Sequence, residues 1–162
     1  MKHSLPPFGA LFLCLLSALL FSAAGPGFAA DKAGATYVGS EKCRECHEEQ
    51  FESYQKYSRK AHSFQSIKKM KAKLTSAEYQ KCFECHTTGH GKPGGFVSES
   101  QTPLLKNPGC ETCHGPGSLH VDSQDPEDIK TKLSAQEDCM GCHNEERVGS
   151  FKYRPLIYGG GH

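Results

Sequence analysis

Apolar residues crowd the first two dozen positions and are thinly spread afterwards. Lys2 is followed by a leucine-rich run to about Phe21 and then by small residues ending near Ala29 and Ala30, the plan of a secretory signal. The run is short for a bilayer span. Residues 1–29 are therefore predicted to be removed, with cleavage near Ala29 or Ala30, taking Cys14 with them and leaving no stable membrane insertion. Residues 30–162 then form a single domain by length.

Beyond the signal, Asp31 to Gly39 is polar and glycine-containing, and predicts a poorly ordered lead. Ser40 is placed to N-cap a short turn. From Glu48 to about Met70 the composition is helical, with no Pro or Gly. Phe51, Tyr54, Tyr57, Ser58, His62 and Phe64 do not fall on one stripe, so the pattern reads as two helices with a bend near Ser58, or as one helix whose apolar face turns along its length. Thr75-Ser76-Ala77-Glu78 has the form of a capping box, and Leu133-Ser134-Ala135-Gln136-Glu137 repeats it. Thr87 to Pro108 is loop, broken by Gly89, Gly91, Pro93, Gly94 and Gly95, with a brief strand expected at Phe96-Val97-Ser98. Ser123 to Ile129 is polar and surface-like. Gly159-Gly160-Gly161-His162 ends the chain as a flexible glycine-rich tail, preceded by the apolar stretch Tyr153 to Tyr158. The expected class is mainly α, with short helices and long loops.

Composition matters chiefly through cysteine and histidine. Every cysteine after Cys14 belongs to a Cys-x-x-Cys-His unit: Cys43-Arg44-Glu45-Cys46-His47, Cys82-Phe83-Glu84-Cys85-His86, Cys110-Glu111-Thr112-Cys113-His114 and Cys139-Met140-Gly141-Cys142-His143. Two thiols at this spacing add to the two vinyl groups of one porphyrin, and the adjoining imidazole reaches the iron from the same side. Four copies predict four covalently bound haems c. A zinc site would use the paired thiolates but not four histidines. A disulfide framework requires an even cysteine count but not this spacing. The two capping-box sequences precede the second and fourth motifs, a weak internal repeat.

A chain this short builds only a small protein core, so the porphyrins are expected to supply most of it. The haem-free protein is then expected to lack a stable fold. Glycines such as Gly109, Gly115 and Gly117 flank the third motif, where backbone can lie against a flat group. The chain has 19 Lys and Arg against 18 Asp and Glu, a formal net charge of +1. Haem propionates make the loaded protein acidic. That argues against a nucleic-acid partner, which would call for a basic face.

His47, His86, His114 and His143 are the expected proximal iron ligands. Apart from His3 in the signal, the remaining histidines are His62, His90, His120 and His162, one for each haem. Met70 and Met140 are the only methionines outside the signal, and Met140 is inside a motif. Bis-histidine ligation is the economical reading, with low potentials relative to Met/His haems. His90 follows His86 by one helical turn and would have to serve another haem. His162 is on a glycine tether and could reach a haem in a neighbouring molecule.

The chain resembles the tetrahaem cytochrome c family typified by cytochrome c five-fifty-four, the electron acceptor of hydroxylamine oxidoreductase. The likeness is closest from Cys82 to Pro116. There the second motif is followed by Gly89-x-Gly91, Gly94-Gly95, Phe96 and Glu99-Ser100, then by Gly109-Cys110-Glu111-x-Cys113-His114-Gly115-Pro116-Gly117. The first motif and a Ser-x-x-Ala-His stretch ending at Ala61-His62 also match, and the resemblance runs from about Tyr37 to His143. It implies a mainly helical fold with nested, partly stacked haem pairs. It also implies that His62 is distal ligand to the His114 haem and His120 to the His47 haem. In the ammonia-oxidiser member the second-motif haem is five-coordinate, with a phenylalanine where this chain has His90. That member continues far beyond the fourth motif and draws a distal histidine from the extension. Here His162 or another subunit's histidine would replace it, or the fourth haem would be open.

No carboxylate pair or nucleophile–base pattern suggests an enzyme. The expected role is electron transfer between redox proteins, donor and acceptor unspecified. The expected location is the periplasm, as a soluble shuttle, or the cell exterior, as a self-associated filament with inter-subunit haem ligation. A haem enzyme acting on nitric oxide, nitrite or hydroxylamine is the alternative if one iron is five-coordinate.

Overall fold

A computed structural model of the protein describes residues 32–145. The expected signal (1–29), the tail from Tyr153 to Tyr158 and His162 lie outside these residues.

Seven short α-helices carry the described chain: α1 (Ser40–Arg44), α2 (Glu48–Tyr57), α3 (Phe64–Met70), α4 (Ser76–Lys81), α5 (Phe83–His86), α6 (Cys110–His114) and α7 (Ser118–Ser123). Tight 3-10 turns at Arg59–His62, Lys71–Lys73, Pro103–Leu105 and Pro126–Asp128, and a wider turn at Ala135–Cys139, complete them. The fold is mainly helical with short elements, as the class expected. No described helix is long and apolar enough to cross a membrane.

Of the two readings of 48–70, the bent one is observed. α2 stops at Ser58, whose backbone is extended (φ −88°, ψ 118°). The chain restarts as the 3-10 turn and then α3, so Phe51 and Phe64 are buried by different neighbours. The Thr75 capping box closes: Thr75 Oγ1 accepts from Glu78 N at 3.3 Å, and Glu78 Oε2 accepts from Thr75 N at 2.9 Å. Its counterpart is a variant of the expected one. Ser134 Oγ accepts from Glu137 N at 3.2 Å, but the return bond from Ser134 N goes to Asp138 Oδ2 at 2.8 Å.

Three local expectations are corrected. The lead before α1 is pinned: Thr36 N donates to Ser118 Oγ (2.8 Å), Thr36 O accepts from Ser118 N (3.1 Å), and Val38 and Gly39 donate to Glu111. Polar composition signals disorder only when nothing else satisfies the backbone. Ser40 does not cap its own helix, since Gly39 holds that position; its Oγ accepts from Cys110 N at 3.1 Å, at the start of α6. Phe96–Ser98 forms no strand. Phe96 N donates to Thr88 O (2.9 Å), while Val97 N is taken by the Thr102 side chain (2.9 Å), so no ladder continues.

The protein core is one apolar cluster of Phe64, Ile67, Phe83, Phe96 and Leu105, with Tyr37, Tyr79 and Cys82 packed on it. Several of its rings meet edge-on, Phe83 to Phe96 at 5.1 Å and Tyr79 to Phe83 at 5.0 Å between centroids, while Phe64 and Phe83 lie nearly parallel at 6.2 Å. The cluster backs the second motif, through Phe83.

Candidate haem-binding site

Each motif is a single tight turn. His47 N donates to Cys43 O (2.9 Å), His86 N to Cys82 O (3.0 Å) and His143 N to Cys139 O (2.9 Å). This i to i−4 bond winds the two thiols and the imidazole onto one side. The first variable position of each motif points elsewhere and is used differently. Arg44 lies over the Phe51 ring and pairs with Glu52 at 3.0 Å. Phe83 is in the core. Glu111 is buried, at 2% exposure.

The motifs are interleaved rather than strung out. The thiols of Cys43 and Cys110 lie close enough to act on each other, as do those of Cys85 and Cys142. The first motif therefore adjoins the third, and the second adjoins the fourth. Within the first pair, interaction with Cys43 draws the Cys110 thiol down to about 6, while interaction with Cys110 and burial push Cys43 up. Burial and the neighbouring Cys85 push Cys142 up to about 12, and burial also raises Cys113 and Cys139. These shifts belong to free thiols; thioethers do not titrate. Lys60, in the 3-10 turn that ends at His62, acts electrostatically on Cys113, Cys139, Cys142 and His143. That places the turn near the third motif, where the family resemblance puts His62, and near the fourth as well.

The histidines show how well these residues suit haem iron. The imidazoles of His47 and His120 face one another, with centroids 6.2 Å apart and planes 23° from parallel. Two metal–nitrogen bonds of about 2.0 Å each, plus the two ring half-widths, add up to about this separation, so His47 and His120 are the pair that would hold one iron between them. His120 Nδ1 is bonded to Asp125 O at 2.9 Å, His86 Nδ1 to Ser63 O at 3.1 Å, and His114 Nδ1 to Lys130 O at 2.7 Å. A ring that donates from Nδ1 to a carbonyl is held in place and keeps the Nε2 lone pair for a metal. The four motifs and this pair fit haem c. Among the described residues no disulfide forms and no cluster of three or more His, Cys, Asp or Glu side chains surrounds a metal-sized site.

His62 and His90 are placed differently. His62 is exposed and its Nε2 is bonded to Gln55 O at 2.9 Å, which leaves Nδ1 as its lone-pair nitrogen. His90 Nδ1 is bonded to Phe96 O at 3.1 Å, and its ring stands edge-on to Phe83 at 5.3 Å, against the apolar cluster. His143 is partly buried, which lowers its pKa. His162 lies outside the described residues.

Sequence reasoning missed Glu111 as a structural centre. Its Oε1 accepts from Val38 N (2.9 Å) and Gly117 N (2.8 Å), and its Oε2 from Gly39 N (2.7 Å) and Val38 N (3.2 Å). The available signal was a charged residue within a motif and flanked by glycines.

Comparison with known proteins agrees with this geometry. The sequence profile of the family described as cytochrome c554 and c-prime matches residues 42–115, the span of the first three motifs. Cytochrome c-554 of Nitrosomonas europaea is 39% identical over 115 residues, which is 64% of this chain and 47% of that protein. The chain thus spans about half the length of that relative. The solved structure of reduced cytochrome c554 from Nitrosomonas europaea superposes with a TM-score of 0.56 at 25% identity, over 79% of this chain and 83% of the other. With its repeated attachment motifs, short-helix fold and these likenesses, the chain is similar to the cytochrome c554 family of c-type cytochromes.

Proposed function

We propose that the protein is a tetrahaem electron carrier working between redox proteins in the periplasm, with export directed by residues 1–29. The observation that carries this reading is the pairing of attachment points: Cys43 with Cys110, and Cys85 with Cys142. Cys139 acts electrostatically on Cys113, which sets the fourth motif near the third. These proximities support an order of motifs that runs first to third to fourth to second.

Haem c at each motif supplies a reversible one-electron iron couple. The chain's part is to hold and tune. The cysteines fix the edge of each group, and His47, His86, His114 and His143 supply proximal nitrogens. His120 completes the His47 site, and by the family likeness His62 serves the His114 site. His90 and His162 are the candidates for the two others. Nitrogen ligands on both faces lower the potential relative to a Met/His site. Partners would dock by charge on a surface made acidic by propionates.

The test is haem content by mass, followed by a reductive titration and low-temperature EPR of the oxidised protein. Four haems, stepwise uptake of four electrons and rapid exchange with a redox protein are expected. Fewer than four haems, or four haems that exchange electrons only slowly, would reject the reading. One stoichiometric high-spin iron with turnover of nitric oxide, nitrite or hydroxylamine would replace it with an enzyme.

A further inference from the structure

Glu111 lies in the third motif, but its carboxylate acts on the first. It is buried, and its backbone N–H donors come from two separate stretches. Val38 and Gly39 precede α1, which carries Cys43 and leads to His47. Gly117 directly precedes α7, which carries His120. The same lead is bonded to α7 again at Thr36 and Ser118, but that contact is exposed. The two helices that bring the facing imidazoles to 6.2 Å are therefore referenced to a common buried anion.

A buried carboxylate is tolerated when N–H groups saturate its lone pairs, and such charge-assisted bonds are short and directional. Among the described residues no cation pairs with Glu111, and its bonds at 2.7 to 2.9 Å all go to main chain. Main-chain bonds fix the position of the backbone itself rather than of another flexible side chain. A side chain at Gly117 would crowd this carboxylate, since a Cβ there would sit 3.3 Å from Glu111 Oε1.

We infer that Glu111 is the positioning residue for the His47–His120 pair, setting the span between the two nitrogens that ligate the first-motif iron. This rests on the reading of those two histidines as axial ligands. The fully loaded protein is the material for the test.

Glu111→Gln keeps the volume but turns an NH2 group toward a backbone N–H whichever way the amide lies. Its holoprotein is expected to show a high-spin ferric signal integrating to as much as one iron in four, with one midpoint potential displaced. Added imidazole should return that iron to low spin. Glu111→Asp keeps the charge on a shorter arm and should give a smaller fraction of the same signal; it also serves if the Gln variant fails to mature. His120→Ala tests the underlying reading separately and should give one full high-spin iron. A Glu111→Gln holoprotein, or the Asp variant in its place, with four haems and an unchanged EPR spectrum and potentials would overturn the inference. All-low-spin iron in His120→Ala would instead overturn the ligand reading.

Discussion

The imidazoles of His47 and His120 face each other at 6.2 Å although they lie on α1's exit and on α7, far apart in the chain. His120 is aimed by its own Nδ1, which is bonded to Asp125 O at 2.9 Å. Between them Gln124 ends α7 in the left-handed region (φ 61°, ψ 12°), so the chain doubles back and delivers that carbonyl.

His120→Met should keep four haems and raise one midpoint potential, because a thioether stabilises ferrous iron better than a second imidazole. Potentiometric titration followed at the α band is the measurement. Four unchanged potentials would remove His120 from the iron.

Gln124 is the one described residue other than glycine with positive φ. A left-handed non-glycine residue costs roughly 1 kcal/mol. Gln124→Gly should therefore leave melting unchanged or raise stability by up to about 1 kcal/mol, while Gln124→Val should lower it. A Val variant as stable as wild type would show that the turn carries no strain.

Gly95 allows the closest main-chain approach in the loop after the second motif. A Cβ there would stand 1.7 Å from Gly89 O, and a Cβ on Gly89 would meet the Tyr37 ring at 2.6 Å. Gly95→Ala should cost about 2 kcal/mol or more, seen as a lower melting temperature of the holoprotein. Wild-type melting would mean that the loop moves freely.

Thr75→Ala removes the cap of α4 and should cost about 1 kcal/mol. The effect should stay local and leave all four potentials in place, because α4 precedes the motif turn rather than forming it. Altered potentials would show that the cap reaches the haem.

Asp128 is held below its usual 3.8 chiefly by the Lys32 ammonium, at 2.7 Å, and by Ser123. A carboxyl lowered in the folded state stabilises above its unfolded value and loses that contribution as pH falls through the folded one. Asp128→Asn should therefore melt slightly below wild type at neutral pH, with the gap closing below about pH 3.8 and shrinking in salt. A gap that persists in acid would point to lost hydrogen bonds instead.

Local features were legible in the chain. Cys-x-x-Cys-His states its chemistry in five consecutive residues. The Thr75–Glu78 box also depends only on neighbours within one turn, whereas the break at Ser58 was one of two readings the pattern allowed. The lead from Lys32 to Gly39 was not legible, because its order comes from Ser118 and Glu111, far along the chain. Ser40 shows the same limit: its hydroxyl could serve its own helix or another, and the fold brought Cys110 N within 3.1 Å.

The first variable positions of the motifs show the division most clearly. Arg44, Phe83 and Glu111 hold equivalent places in their turns, and nothing local distinguishes their duties. One meets solvent and Phe51, one enters the apolar cluster, and one anchors backbone from two remote stretches. Covalent chemistry and helix ends follow from short-range geometry, so residue order alone settles them. Which motif adjoins which depends on contacts between distant residues, and these exist only once the chain has packed; the pairing of His120 with His47 was implied by the family resemblance but by nothing in the local order of residues.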